Sequence, residues 1–329
     1  MIQEKLESKE KSYEPGDYRL GVSLELARKS ISENFPNISL KSIDYFSEGL
    51  GNVVFLVNGE YIFKFARHEK ASKRLEQELN LLPKLVERIS LPIPNPEYAG
   101  RQADNGLRFF GYKKIEGIGL TKESINGLDE ETQMKLAKQL AELLKQISSI
   151  DLDEARQWGI EEVDPRTFYA RQLKEAREIV YPILEAQYPE EAEELKTYIE
   201  GFFRDYFNNA DNFDFKPAVV HGDLEGRLAI IFDPEKREIS GIVDAGNPEI
   251  NDPDFDLWRL YAHYGWDFMV KLLKFLPHDS LERLRGKLDF FWRAQTVHRA
   301  VRAILLKDEE SIEISLKQMK DKAKDYEPA

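Results

Sequence analysis

Residues 42–66 read SIDYFSEGLGNVVFLVNGEYIFKFA, and this stretch constrains the fold more than any other. Phe, Val, Ile and Tyr alternate along it with polar residues, which predicts strands near 41–47, 53–57 and 60–66. Gly49 and Gly51 separate the first two strands, and Asn58-Gly59 is a two-residue hairpin signal between the second and third. A short helix is expected just before, with Leu24, Ala27, Ile31 and Phe35 at helical spacing. The period then changes. EKASKRLEQELNLLPKLVERI places Leu75, Leu79, Leu82 and Leu85 on one helical face. Pro92, Pro94 and Pro96 close that helix and lead into a strand pair at 97–100 and 107–114. After Gly117 the chain turns helical, with helices expected at 129–149, 165–186, 190–208, 255–275 and 279–306. One β island, 217–245, interrupts them. The expected organisation is a charged lead segment (1–20), a β-rich lobe with one main helix (21–114), a hinge near 111–118 and a larger helical lobe (118–329) carrying an embedded hairpin.

The chain has 329 residues, which is room for two domains. It contains no cysteine, which excludes disulfides, zinc–thiolate sites, iron–sulfur clusters and thiol nucleophiles. There is no apolar run near 18 residues and no apolar core at the N-terminus, so neither a membrane span nor a signal peptide is expected, and the location expected is cytoplasmic. The net charge is −13, but the first 110 residues carry sixteen basic and sixteen acidic side chains, so the whole excess belongs to the remainder. Such a balance repels nucleic acid. It allows a cationic ligand for the C-terminal part, although acidic surfaces also serve solubility.

The densest polar cluster is His221-Gly222-Asp223, which follows the apolar run Ala218-Val219-Val220. A strand ending in this loop delivers an aspartate to its rim, where it can orient a hydroxyl and accept its proton. Asp244 follows 21 residues later, at the end of a second apolar strand. One aspartate can act as base while the other holds Mg²⁺. Upstream, Lys64 interrupts the apolar run Ile62-Phe63-Lys64-Phe65 and needs a partner. Glu78 on the following helix is the natural one, with Glu76 as the competing acid.

VVHGDL and GIVDAGNPEINDPDFDL, preceded in order by EGLGNVVFLV, YIFKFAR, LEQELNLLPKL, LPIPNPEYAG and GYKKIEGIGL, resemble the aminoglycoside phosphotransferase family, and most of all its 2''-phosphotransferase branch. The resemblance spans about residues 40–260. It implies an α+β, bilobal, protein-kinase-like fold, and a transferase that moves the γ-phosphate of ATP or GTP, with Mg²⁺, to a hydroxyl of a small polar acceptor, aminoglycosides first among them, as in antibiotic resistance. It also implies roles. Gly49, Gly51 and Asn52 would cover the nucleotide, and Lys64, held by Glu78, would bind its phosphates. Lys113, Lys114 and Ile115 would meet the base. Asp223 would be the catalytic aspartate and Asp244 the metal ligand. His221 would orient the loop, and Asp252 would tie it to its neighbours. Glu249, Asp254, Trp258, His263, Trp266 and Asp267 are candidate acceptor-lining residues, acidic and aromatic enough for a cationic sugar. Phe290 and Phe291 are assigned to the core, and the lysine-bearing tail at 317–324 to a solvated helix end. A monomer is expected.

Two positions depart from the family pattern. The metal-ligand Asn or His five residues after the catalytic aspartate is Leu228 here, and Ala245 replaces the aromatic that usually follows the metal aspartate. An aliphatic side chain cannot bind Mg²⁺, so the alternative is an impaired enzyme or a nucleotide-binding pseudokinase. Glu225, Asn247 or a water are the candidate substitutes, and Leu228 itself is expected to be packed.

Overall fold

In a computed structural model the described residues are 21–49, 51–246 and 248–326. The lead segment 1–20 and Asn247 therefore lie outside them. The chain separates into two compact units. The first runs to Glu87 and takes in Pro92–Ile115; the second comprises Arg88–Leu91 and everything from Glu116 on.

The first unit opens with helix α1 (Leu24–Asn34), capped by Ser23, whose Oγ accepts from Leu26 N at 3.0 Å. An antiparallel five-stranded sheet follows, made of β1 (Ile43–Glu48), β2 (Asn52–Val57), β3 (Tyr61–Ala66), β4 (Pro96–Arg101) and β5 (Arg108–Lys113), in the spatial order β1-β2-β3-β5-β4. Asn58 and Gly59 both take positive φ, 55° and 70°, as the tight turn between β2 and β3 requires. Helix α2 (Glu69–Val86) packs on β3 and β5. The core of this unit is aromatic: Phe55, Phe63, Phe65 and Phe109 are fully buried, and the last two stack at 4.5 Å.

The second unit begins with β6 (Ile118–Gly119), α3 (Lys122–Asn126), α4 (Glu130–Ser148), α5 (Leu152–Gln157) and β7 (Glu161–Glu162). Helix α6 (Pro165–Glu175) continues through a π-helical turn (Ala176–Val180) into α7 (Tyr181–Gln187), and α8 (Pro189–Asn208) returns along it. Then come β8 (Ala218–Val220), the short helix α9 (Gly226–Ala229), the hairpin β9 (Ile230–Asp233) and β10 (Glu238–Ile242), and β11 (Glu249–Asn251). Strands β10, β9 and β6 form one small sheet; β7, β11 and β8 form another. The unit closes with α10 (Phe255–Tyr264), α11 (Trp266–Leu273), α12 (Leu281–Leu306) and α13 (Glu309–Ala323). The single helix expected over 255–275 is thus two, because Gly265 adopts φ 83° and stops the first. Phe290 and Phe291 are buried, as assigned. The tail is not a solvated end: Leu316 and Met319 of α13 are buried, α13 packs along α12, and Lys320 pairs with Glu191 at 2.6 Å.

Candidate active site

In the first unit, Lys64 projects from β3 and its Nζ donates to both carboxylate oxygens of Glu78 on α2, each at 2.9 Å. Both side chains are largely buried, at 15% and 12% exposure, so each needs the other's charge. The competing acid, Glu76, is taken by Arg108, whose Nη2 donates to it at 2.7 Å. The loop between β1 and β2 is drawn tight by Gly49 N, which donates to Asn52 O at 2.9 Å. Gly51 lies against Ala71, where a β-carbon would stand 3.3 Å from the alanine Cβ. Arg67, just past β3, braces the loop from below: its backbone N donates to Gly51 O and its guanidinium pairs with Glu48. Among the described residues the buried Asn52 Oδ1 atom has no partner. Lys114 N, after β5, donates to Glu60 O at 2.8 Å, and exposed Lys113 lies beside Glu60. Ile115 ends the unit.

In the second unit, β8 runs into His221-Gly222-Asp223, a bend that uses φ 80° at Gly222. Asp256, at the start of α10, holds this bend: its Oδ2 accepts from His221 N at 2.7 Å and its Oδ1 from Gly222 N at 2.9 Å. Burial pushes the Asp256 carboxyl up to about 6, against the lowering effect of these two N–H groups. The role of loop tie therefore belongs to Asp256, not Asp252. Asp252 is structural in another way: it is buried against Lys287 of α12 at 2.6 Å, and burial raises its carboxyl to about 6. His221 is also buried; its Nδ1 accepts from Asp223 N at 3.3 Å, and desolvation lowers the ring to about 4, so the ring beside the loop is a neutral imidazole.

Asp223 stands at the rim, with Arg259 Nη2 2.9 Å from its Oδ1. Burial raises its carboxyl and Arg259 opposes that, while Asp244 and Glu225 add to the rise. The same guanidinium lies 3.5 Å from Glu225 and 4.7 Å from the Trp258 ring centre. Sequence reasoning missed Arg259, although a cation inside DLWRL carries the same signal that singled out Lys64. Asp244 is exposed and sits at φ 60°, a left-handed conformation that few non-glycine residues hold and that is concentrated at functional sites.

Leu228, on α9, is 58% exposed, so the expectation of a packed leucine is wrong. Among the described residues no three His, Asp or Glu side chains gather as a metal cage. Mg²⁺, however, is commonly bound through one or two carboxylates plus substrate phosphates and waters. The residues present fit a Mg²⁺ brought by a nucleotide, with Asp244 as the chain's contribution; Leu228 offers no ligand for a second, and Glu225 is engaged by Arg259 and His263.

The acceptor candidates divide. Trp258 is buried in the core, and Asp254 is consumed by His278 at 2.8 Å and Lys287 at 2.9 Å; neither is a lining residue. His263 covers Gly226 and lies 3.8 Å from Glu225. Glu249, on β11, is partly buried and accepts from Asn251 at 3.1 Å. Trp266 packs edge-on against Tyr261 with Arg285 over its face, and Asp267 is exposed.

A model of the phosphotransferase enzyme family matches residues 42–291. The chain belongs to that family. Among solved structures it is similar to a single-substitution variant of aminoglycoside 2'-phosphotransferase-IIIa in its GDP complex, with 26% identity and a TM-score of 0.84, over 91% of this chain and 97% of that one. The GDP and kanamycin complex of the enzyme designated APH(2")-IIIa matches with 25% identity and a TM-score of 0.82, over 92% and 99%. A macrolide 2'-phosphotransferase, type I, shares the fold at 15% identity and a TM-score of 0.67, over 91% and 98%. This phosphotransferase-family chain thus has the α+β, kinase-like architecture of those enzymes.

Proposed function

We propose that this family member is a nucleotide-dependent small-molecule kinase. The observation that carries the reading is the coexistence of two separately built features, the Lys64–Glu78 pair and the Asp256-anchored loop that presents Asp223. Lys64 would hold the phosphates of ATP or GTP, with Glu78 fixing its position. Gly49, Gly51 and Asn52 would close over the phosphates, and the backbone at Lys113, Lys114 and Ile115 would meet the base. Mg²⁺, bound with the nucleotide at Asp244, would neutralise charge on the phosphates. Asp223 would orient the acceptor hydroxyl and take its proton; the hydroxyl oxygen bonds to the γ-phosphorus, the bond from that phosphorus to the β-phosphate oxygen breaks, and the nucleoside diphosphate leaves with the electron pair.

Leu228 favours a second reading, a nucleotide binder without turnover, because its exposed aliphatic side chain adds nothing to metal binding. The test is ³¹P NMR of the purified protein with Mg²⁺, ATP or GTP and a panel of hydroxyl acceptors, repeated with Asp223→Asn. The kinase reading expects a phosphorylated product that the variant fails to make while keeping its nucleotide affinity. Nucleotide binding without product from any acceptor would establish the second reading.

A further inference from the structure

Three side chains of α10 meet the segment 221–226 in order. Asp256 accepts from the backbone N–H groups of His221 and Gly222. Arg259, one turn on, meets the carboxylates of Asp223 and Glu225. His263, a further turn on, lies over Gly226 so closely that a β-carbon there would stand 2.8 Å from the imidazole ring. Positions 256, 259 and 263 share one helical face. The first and last of these contacts hold backbone; only the middle one reaches the Asp223 carboxylate. Arg259 Nη2 lies 2.9 Å from Asp223 Oδ1, and its Nη1 lies 3.5 Å from Glu225 Oε2, so the two outer nitrogens are divided between two acids. The guanidinium centre is 4.7 Å from the ring centre of buried Trp258. The arginine side chain is 11% exposed and that of Asp223 47%, so a fixed cation meets a carboxylate that still faces solvent. Among the described residues Asp223 Oδ2 accepts no hydrogen bond.

We propose that Arg259 is a positioning residue, which holds the Asp223 carboxylate by Oδ1 and so leaves Oδ2 turned toward the acceptor hydroxyl. This rests on the kinase reading above and deepens it. The proton of the hydroxyl passes to Oδ2 as the hydroxyl oxygen bonds to the γ-phosphorus, and Arg259 keeps its own protons and its charge throughout. A guanidinium that is stacked on a ring and shared between two acids has little freedom to move. An aspartate released from it would rotate, and a misplacement of about 1 Å can cost about a hundredfold in rate. The backbone of the loop does not depend on this contact, because Asp256 holds it separately.

The test compares wild type with Arg259→Gln and Arg259→Lys in phosphoryl transfer from MgATP and MgGTP to kanamycin, choline, homoserine and water. Arg259→Gln should lower kcat about a hundredfold while the nucleotide KM stays within about twofold. Arg259→Lys, which keeps the charge, should be faster than the Gln variant. Amide exchange at His221 and Gly222 should match wild type in Arg259→Gln, since Asp256 still holds both groups. An unchanged kcat, a Lys variant no faster than Gln, or quickened exchange at His221 and Gly222 would each overturn the proposal, the last by making Arg259 a support of the backbone. Urea unfolding of wild type, Arg259→Gln, Asp223→Asn and the double variant reads the contact without turnover. The double variant should shift the unfolding equilibrium at least about fivefold less than the product of the two single shifts; no coupling would overturn the clamp. Product from none of the acceptors would sink the kinase reading, and coupling in the cycle would then leave the hold of Arg259 on Asp223 standing.

Discussion

Asp256 holds the His221–Asp223 bend with a carboxylate buried to 1% exposure, and that arrangement has a measurable pH signature. Its folded-state carboxyl is raised to about 6, above an ordinary 3.8, because burial outweighs the two loop N–H groups. The folded protein therefore holds this proton more tightly than the unfolded chain does. Between about pH 4 and pH 6 the folded state binds the extra proton, so the contribution of this site to stability falls as pH rises. A difference of about two pH units corresponds to about 3 kcal/mol. Asp256→Asn keeps the shape and one acceptor oxygen, removes the titration, and sets an amide NH₂ against one loop N–H. Urea unfolding of both proteins at a series of pH values isolates the site, since groups common to both cancel in the difference. Wild type minus variant should decline by up to about 3 kcal/mol from pH 4 to pH 6 and stay flat above. In the variant, amide exchange at His221 and Gly222 should quicken, because one of the two donors has lost its partner. A difference that rises with pH would refute the raised carboxyl, and exchange rates that match wild type would refute the assignment of Asp256 as the loop tie.

Leu228→Asn should change stability by no more than about 0.5 kcal/mol, because the leucine is exposed; with MgATP or MgGTP it should gain more thermal stabilisation than wild type, and an equal gain would mean that position 228 does not bear on the metal. Lys64→Met leaves Glu78 largely buried without its cation, at a cost of about 3–5 kcal/mol, and should abolish nucleotide-induced stabilisation; a variant that responds to nucleotide like wild type would remove Lys64 from the phosphate site. His278 is raised above 6.5 by its bond to Asp254, even though burial opposes its charged form. Its contribution to stability is present below pH 6.5 and fades as pH climbs through the raised value, so His278→Asn should destabilise the protein at pH 6 more than at pH 9, and a constant difference would mean that the ring is neutral throughout.

Much of this was legible in the sequence because the signals were local or ordered. Alternation and Asn58-Gly59 placed the first three strands, and a lysine in an apolar run followed by a glutamate-bearing helix placed the Lys64–Glu78 pair. The illegible parts are those without local period. Strands β6, β7 and β11 are two or three residues long, too short to show alternation. Asp256 and the loop it holds are 34 and 35 residues apart, and Arg259 meets Asp223 only because α10 folds back onto the loop. Charge shows the limit most clearly. A sum of −13 describes the attraction felt far from the surface, and it allowed a cationic ligand without requiring one. Within a Debye length of about 8 Å the nearest side chains decide, and beside Asp223 those are of both signs, Arg259 at 2.9 Å with Glu225 and Asp244 opposing it. No composition window brings those residues together, so the local balance of charge beside Asp223 becomes visible only when α10 is folded back onto the loop.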